Sequence, residues 1–155
     1  VSDIKDFMSH LLSKDTFDHF YFIEASIKMG VSFQIQGRIN EGFYDTSVEQ
    51  TLNREFCYWK EIRHRIFDII KGKRLPLSCK IVLGLSKQSI SYLIAHNNSS
   101  FREEDIEGIY VNILYDPKNL LITTGISYKN FSLDKSLEYA FDEYLAKFLK
   151  EKAVI

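Results

Sequence analysis

Two cysteines, two prolines, two methionines and one tryptophan are all that 155 residues contain of these types. Cys57 and Cys79 stand alone, without the C-x2-C knuckles of a zinc ribbon, and read as free thiols rather than a disulfide. The histidines His10, His19, His64 and His96 show neither H-E-x-x-H nor H-x3-H spacing, so no metal site and no cofactor is expected. No apolar run approaches the roughly 18 residues of a membrane helix, and Val1 to Asp6 lacks the basic and apolar regions of a signal peptide. A cytoplasmic protein with no membrane partner is therefore expected. The start at Val1 rather than Met is read as the loss of upstream residues.

What is present describes an ordinary globular chain: 45% hydrophobic, 26% charged and 14% aromatic residues. A single domain over 1–155 is expected, since a compact chain of this length removes about 70% of its unfolded surface from water.

Periodicity gives the order of elements. Ile4, Phe7, Met8, Leu11 and Leu12 form the stripe of an amphipathic helix over 3–13. Two alternating runs, Phe20 to Met29 and Val31 to Ile39, read as a hairpin broken at Gly30, with Tyr21, Ile23, Ala25 and Ile27 on one side. The polar stretch 40–55 reads as a connection with one helical turn. From Trp59, Ile62, Ile66, Ile69 and Ile70 predict a helix ending at Gly72 in a left-handed cap, before Pro76. Leu77 to Leu85 reads as a strand, Ser86 as the cap of a helix over 87–96, and 109–115 with 120–127 as a second hairpin. A helix over 133–150 closes the chain. The fold class is α+β: a mainly antiparallel sheet of two hairpins plus a connecting strand, with about four helices packed on it. An αββα order occurs on either side of the connecting strand, which raises a pseudo-repeat.

Charge singles out one region. Between Lys60 and Lys80 seven Lys/Arg stand against Glu61 and Asp68, a local +5 in a chain of net −1. Within it, Ile70-Lys71-Gly72-Lys73-Arg74-Leu75-Pro76 ends a helix in glycine, cations and proline. This is not a phosphate loop: Phe67 and Arg74 stand where Walker A needs Gly and Ser/Thr, and the glycine follows a helix instead of preceding one. Cations at a helix C-terminus also complement its dipole, which competes with any binding role.

Other motifs are explained by structure. Gly84-Leu85-Ser86-Lys87-Gln88 starts like a nucleophile elbow but lacks its closing glycine, and Ser86 serves as a helix cap. Ser132-Leu133-Asp134-Lys135 lacks the partner motifs of S-x-x-K enzymes and reads as a cap for the last helix. Asp134, Glu138 and Asp142 read as a solvated helix face. The neighbours Asp18 and His19 form the one acid–imidazole pair in the sequence.

Phe17-Asp18-His19-Phe20, Trp59-Lys60-Glu61-Ile62-Arg63, the 70–76 segment, Thr123-Thr124-Gly125 and Phe131-Ser132-Leu133-Asp134-Lys135-Ser136-Leu137-Glu138 occur in this order. Together they resemble an uncharacterised bacterial family known only as a domain of unknown function. The resemblance spans nearly the whole chain, departing at Gln36, where Asp is the family's residue, and at Phe141, where Trp is. It implies an intracellular bacterial protein of this length and no assigned activity.

The residues favour a non-catalytic binding domain presenting Arg63, Arg65, Lys71, Lys73 and Arg74 to an anionic partner, nucleic acid being one candidate. A second reading is a protein-interaction subunit or homo-oligomer that pairs these cations with acidic surface, such as Glu41 to Glu55 or Glu103 to Glu107. A third is an enzyme on a phosphorylated substrate, with Asp18, His19 and the basic loop brought together and Trp59 beside them.

Overall fold

A computed structural model describes residues 3–45 and 54–152. Their α-helices are α1 (Ile4–Leu12), α2 (Trp59–Ile70), α3 (Lys87–His96) and α4 (Ser136–Glu151), with a short 3-10 turn at Glu103–Asp105. The strands are β1 (Tyr21–Lys28), β2 (Ser32–Gln36), β3 (Ser78–Gly84), β4 (Ile106–Tyr115) and β5 (Leu120–Tyr128). They form one sheet in the order β2-β1-β3-β4-β5, antiparallel at every pairing. The α+β architecture is thus as the periodicity predicts.

The helices cover one face. Ala25, Ile27, Ile81, Leu83, Val111 and Ile113 point inward and share one buried cluster with Phe7, Leu11, Trp59, Ile66, Leu93, Phe141 and Leu145 from all four helices. Among the described residues no helix packs on the other face. One row across it runs Gln34, Ser26, Lys80, Leu114 and Leu121, directly paired from β2 to β5.

Strict alternation fails in β1. A bulge between Phe22 and Glu24 resets the phase, so Phe22 is fully buried with Ala25 and Ile27, while Ile23 drops out of the inward set. Beyond the bulge the hairpin forks. Gly37 N donates to Ile23 O, and residues 55–59 enter the gap: Phe22 N donates to Cys57 O and Cys57 N to Gly37 O. That fork ends β2 at Gln36 instead of at Ile39. Glycine is required there, since a Cβ on Gly37 would lie 1.8 Å from Phe22 O.

Two further expectations are corrected, at the end of α2 and at the start of α4. Helix α2 stops at Ile70 because Lys71 is already extended (φ −61, ψ 147), and Gly72 at φ +147 lies outside the left-handed helical cap region. Helix α4 starts at Ser136, with Lys135 as its cap residue, because Ser132 Oγ accepts from Asp134 N and Asp134 Oδ1 from Ser136 N. These side-chain bonds hold 132–135 out of the helix, and Ser132 is not its cap. Of the helical turn expected in 40–55, residues 40–45 contain none, and 46–53 lie outside the described residues.

The αββα order does recur in the chain. In space the two hairpins are not related by rotation. Strands β1 and β4 are both antiparallel to β3 and so parallel to each other. Superposing one hairpin on the other needs a half-turn about β3, which would exchange the faces of the sheet. Ile27 and Ile113 nevertheless face the same buried cluster.

Candidate functional site

Antiparallel registry decides which chain segments meet at the start of β3. Lys28, the last residue of β1, pairs with Ser78, and Cys79 pairs with Tyr115 at the end of β4. The β1–β2 turn, the 71–77 loop and the β4–β5 turn therefore lie at one end of the sheet. Leu77 N donates to Lys28 O at 2.8 Å and fastens the loop to the first hairpin. The β4–β5 turn is closed by Asp116, whose Oδ1 accepts from Lys118 N and Asn119 N.

This end collects cations. Lys28, Lys73, Arg74, Lys80 and Lys118 are exposed, and among the described residues none is ion-paired. Lys71 contacts Asp68 at 3.0 Å, with both side chains more than half exposed, a pair that water weakens and a stronger anion can replace. Arg65 is exposed on α2, five residues before its end.

The remaining sequence candidates lie elsewhere. Arg63 Nε and Nη2 donate to Asp18 Oδ1 and Oδ2 at 2.7 and 3.2 Å, so the cation is neutralised by a buried carboxylate. This bond is also what holds the guanidinium above its ordinary pKa, against the opposing effect of burial. Trp59 is completely buried, its Nε1 donates to Leu11 O at 2.7 Å, and its ring packs 5.7 Å from Phe22. It anchors α2 and offers no surface. His19 lines a cavity of about 250 Å³ with Asp15, Thr16, Ser89, Tyr144 and Lys152. That cavity adjoins Leu85, past the far end of β3, whereas Lys73 and Arg74 precede its start. Seven residues of strand span about 20 Å. The basic loop and the Asp18-His19 pair are not brought together.

A second cluster of charge lies at that far end. Arg54 Nη1 and Nη2 each donate to a Glu61 carboxylate oxygen at 2.7 Å, and the guanidinium stacks 4.6 Å from the centre of the Tyr58 ring. Arg38 pairs with Glu55 and lies over Phe56. These arginines are internally satisfied and brace the 54–58 segment in the fork of the first hairpin.

Lys80 belongs to the charge excess of 60–80, but periodicity does not place it at the cationic end, and Lys28 and Lys118 lie outside that stretch. Lys28 follows the inward Ile27 and so faces the polar side of β1, yet only registry shows which loops it meets. Among the described residues no His/Cys/Asp/Glu group is arranged to hold a metal. No described helix is long and apolar enough to cross a membrane.

The chain belongs to a family of unknown function (DUF5721), whose model matches residues 10–155. No curated protein and no solved structure matches it.

Proposed function

We propose that this member of a family without an assigned activity is a binding domain that docks the cationic end of its sheet onto a phosphate-bearing partner. Lys28, Lys73, Arg74, Lys80 and Lys118 make the contact, with Lys71 and Arg65 at its α2 side. Arg63 is not among them. The observation that carries this reading is convergence: three segments far apart in sequence bring these cations together, while the nearby Asp68 and Asp116 are engaged by Lys71 and by the turn backbone. Gathering like charges raises the energy of the free protein, and an anion that binds there relieves it. Phosphate recognition by Lys and Arg needs no catalytic group, and the separation of His19 from this end fits a binding role.

The test uses the chain's net charge of −1, which by itself predicts passage through a cation exchanger at neutral pH. Retention on phosphocellulose at low salt, with earlier elution of a Lys71→Ala, Lys73→Ala, Arg74→Ala variant, is expected. Fluorescence anisotropy with single-stranded DNA, duplex DNA and RNA then asks which phosphate polymers bind. Identical elution of variant and wild type overturns the proposal, and salt-sensitive self-association in its place would identify an acidic surface of the same chain as the partner.

A further inference from the structure

The same end of the sheet exposes aliphatic side chains among its cations. Val31 is 67% exposed in the β1–β2 turn, and Leu75 and Leu77 are 67% and 69% exposed in the loop before β3. On the open face Leu121 is 56% and Leu114 37% exposed, and these two are direct partners across β4 and β5. Apolar and basic residues are contiguous, because Leu114 pairs on its other side with Lys80 and Leu77 is bonded to Lys28. Between Leu75 and Leu77, Pro76 is buried and has a restricted φ, so the loop holds its two leucines outward against the fixed hairpin.

A partner for this surface has to be negative and apolar at once. Nucleic acid supplies phosphate but has little use for three aliphatic side chains at the tips of loops and two more on the adjoining sheet face, and none of the residues gathered here is an aromatic that could stack on a base. A bilayer containing anionic lipids supplies both: headgroup phosphates for Lys and Arg, and acyl chains just beneath them for leucine and valine. From this combination we infer that the phosphate-bearing partner is an anionic lipid surface, which Val31, Leu75 and Leu77 enter while Lys28, Lys73, Arg74, Lys80 and Lys118 contact the headgroups. The inference rests on the phosphate-binding reading above and names its partner. It requires no spanning helix, so the lack of one does not oppose it.

The experiment is co-sedimentation of the full chain with phosphatidylcholine vesicles, with and without phosphatidylglycerol, run beside the phosphocellulose elution. Wild type is compared with Leu75→Ser/Leu77→Ser and with Lys73→Ala/Arg74→Ala. All four positions are exposed, and circular dichroism together with Trp59 emission checks that both variants are folded. The expected result is binding only to phosphatidylglycerol vesicles, weakened roughly tenfold or more in the leucine variant, whose phosphocellulose elution stays that of wild type. The cation variant loses both. Retention on phosphocellulose without vesicle binding overturns the lipid assignment and leaves the phosphate reading standing. Loss of both in the wild type overturns both, and vesicle binding indifferent to the leucine substitutions overturns the apolar contact.

Discussion

Arg63 and Asp18, 45 residues apart in the chain, form a two-pronged ion pair that ties α2 to the loop leading into β1. The Asp18 side chain is 10% exposed and that of Arg63 22%. Removing either partner leaves the other charge poorly solvated. Asp18→Ala and Arg63→Ala are each expected to cost about 1–3 kcal/mol, read from urea unfolding. Arg63→Ala should leave phosphocellulose elution unchanged, which separates this arginine from the cations proposed to dock.

Glu61 gives the protein an acid-sensitive brace. Hydrogen bonding from Arg54, helped by the Tyr58 N–H at 2.6 Å, holds its carboxyl below the usual pKa. A carboxyl depressed in the folded state contributes stability that is fully present above its unfolded pKa. That contribution is lost as pH falls through the folded value. The urea midpoints of wild type and Glu61→Gln should therefore differ at neutral pH and converge on acidification through the carboxylate range. A gap independent of pH would refute the assignment.

Two glycines predict opposite outcomes. A Cβ at Gly37 meets backbone at 1.8 Å, so Gly37→Ala must part the hairpin fork, at an expected cost of about 3 kcal/mol. At Gly125, in β5, an added methyl would find no atom within 4 Å and the φ is not unusual, so Gly125→Ala should stabilise by about 0.5 kcal/mol. Thermal or urea unfolding of the pair checks both.

Burial pushes the thiols of Cys57 and Cys79 up to about 11. Thiolate is the reactive form, so both should resist Ellman's reagent in the folded protein near neutral pH. Both should react promptly once urea unfolds it. Fast reaction of a native thiol would contradict the packing around 55–59 or β3.

Tyr128 carries a buried hydroxyl with no hydrogen-bond partner among the described residues. Its ring packs against Phe101 at 5.0 Å, a contact phenylalanine can keep. Tyr128→Phe should therefore be neutral or stabilising by about 1 kcal/mol, measured by urea unfolding. A clear loss of stability would show that the hydroxyl is in fact satisfied.

Local chemistry made much of the architecture legible in advance. The apolar stripe of α1, the Ser86 cap whose Oγ accepts from Ser89 N, and the Asp116 turn each depend on residues within one or two turns of chain. Where the readings failed, a nearby polar or long-range contact prevailed: Asp134 delaying α4, and the inserted 55–59 segment bending β1 and β2 apart. Neither leaves a mark in hydrophobic periodicity.

The sequence by itself determined the α+β class, the antiparallel hairpins and the excess of positive charge between Lys60 and Lys80. Those properties follow from spacing and counting along one chain. Only the tertiary structure decided which cations lie together. Sheet registry joined Lys28 and Lys118 to the 71–80 segment, the Asp18 carboxylate withdrew Arg63, and the length of β3 separated His19 from Lys73. Electrostatics and packing depend on distance in space, and a linear pattern carries no record of which distant residues the fold will make neighbours.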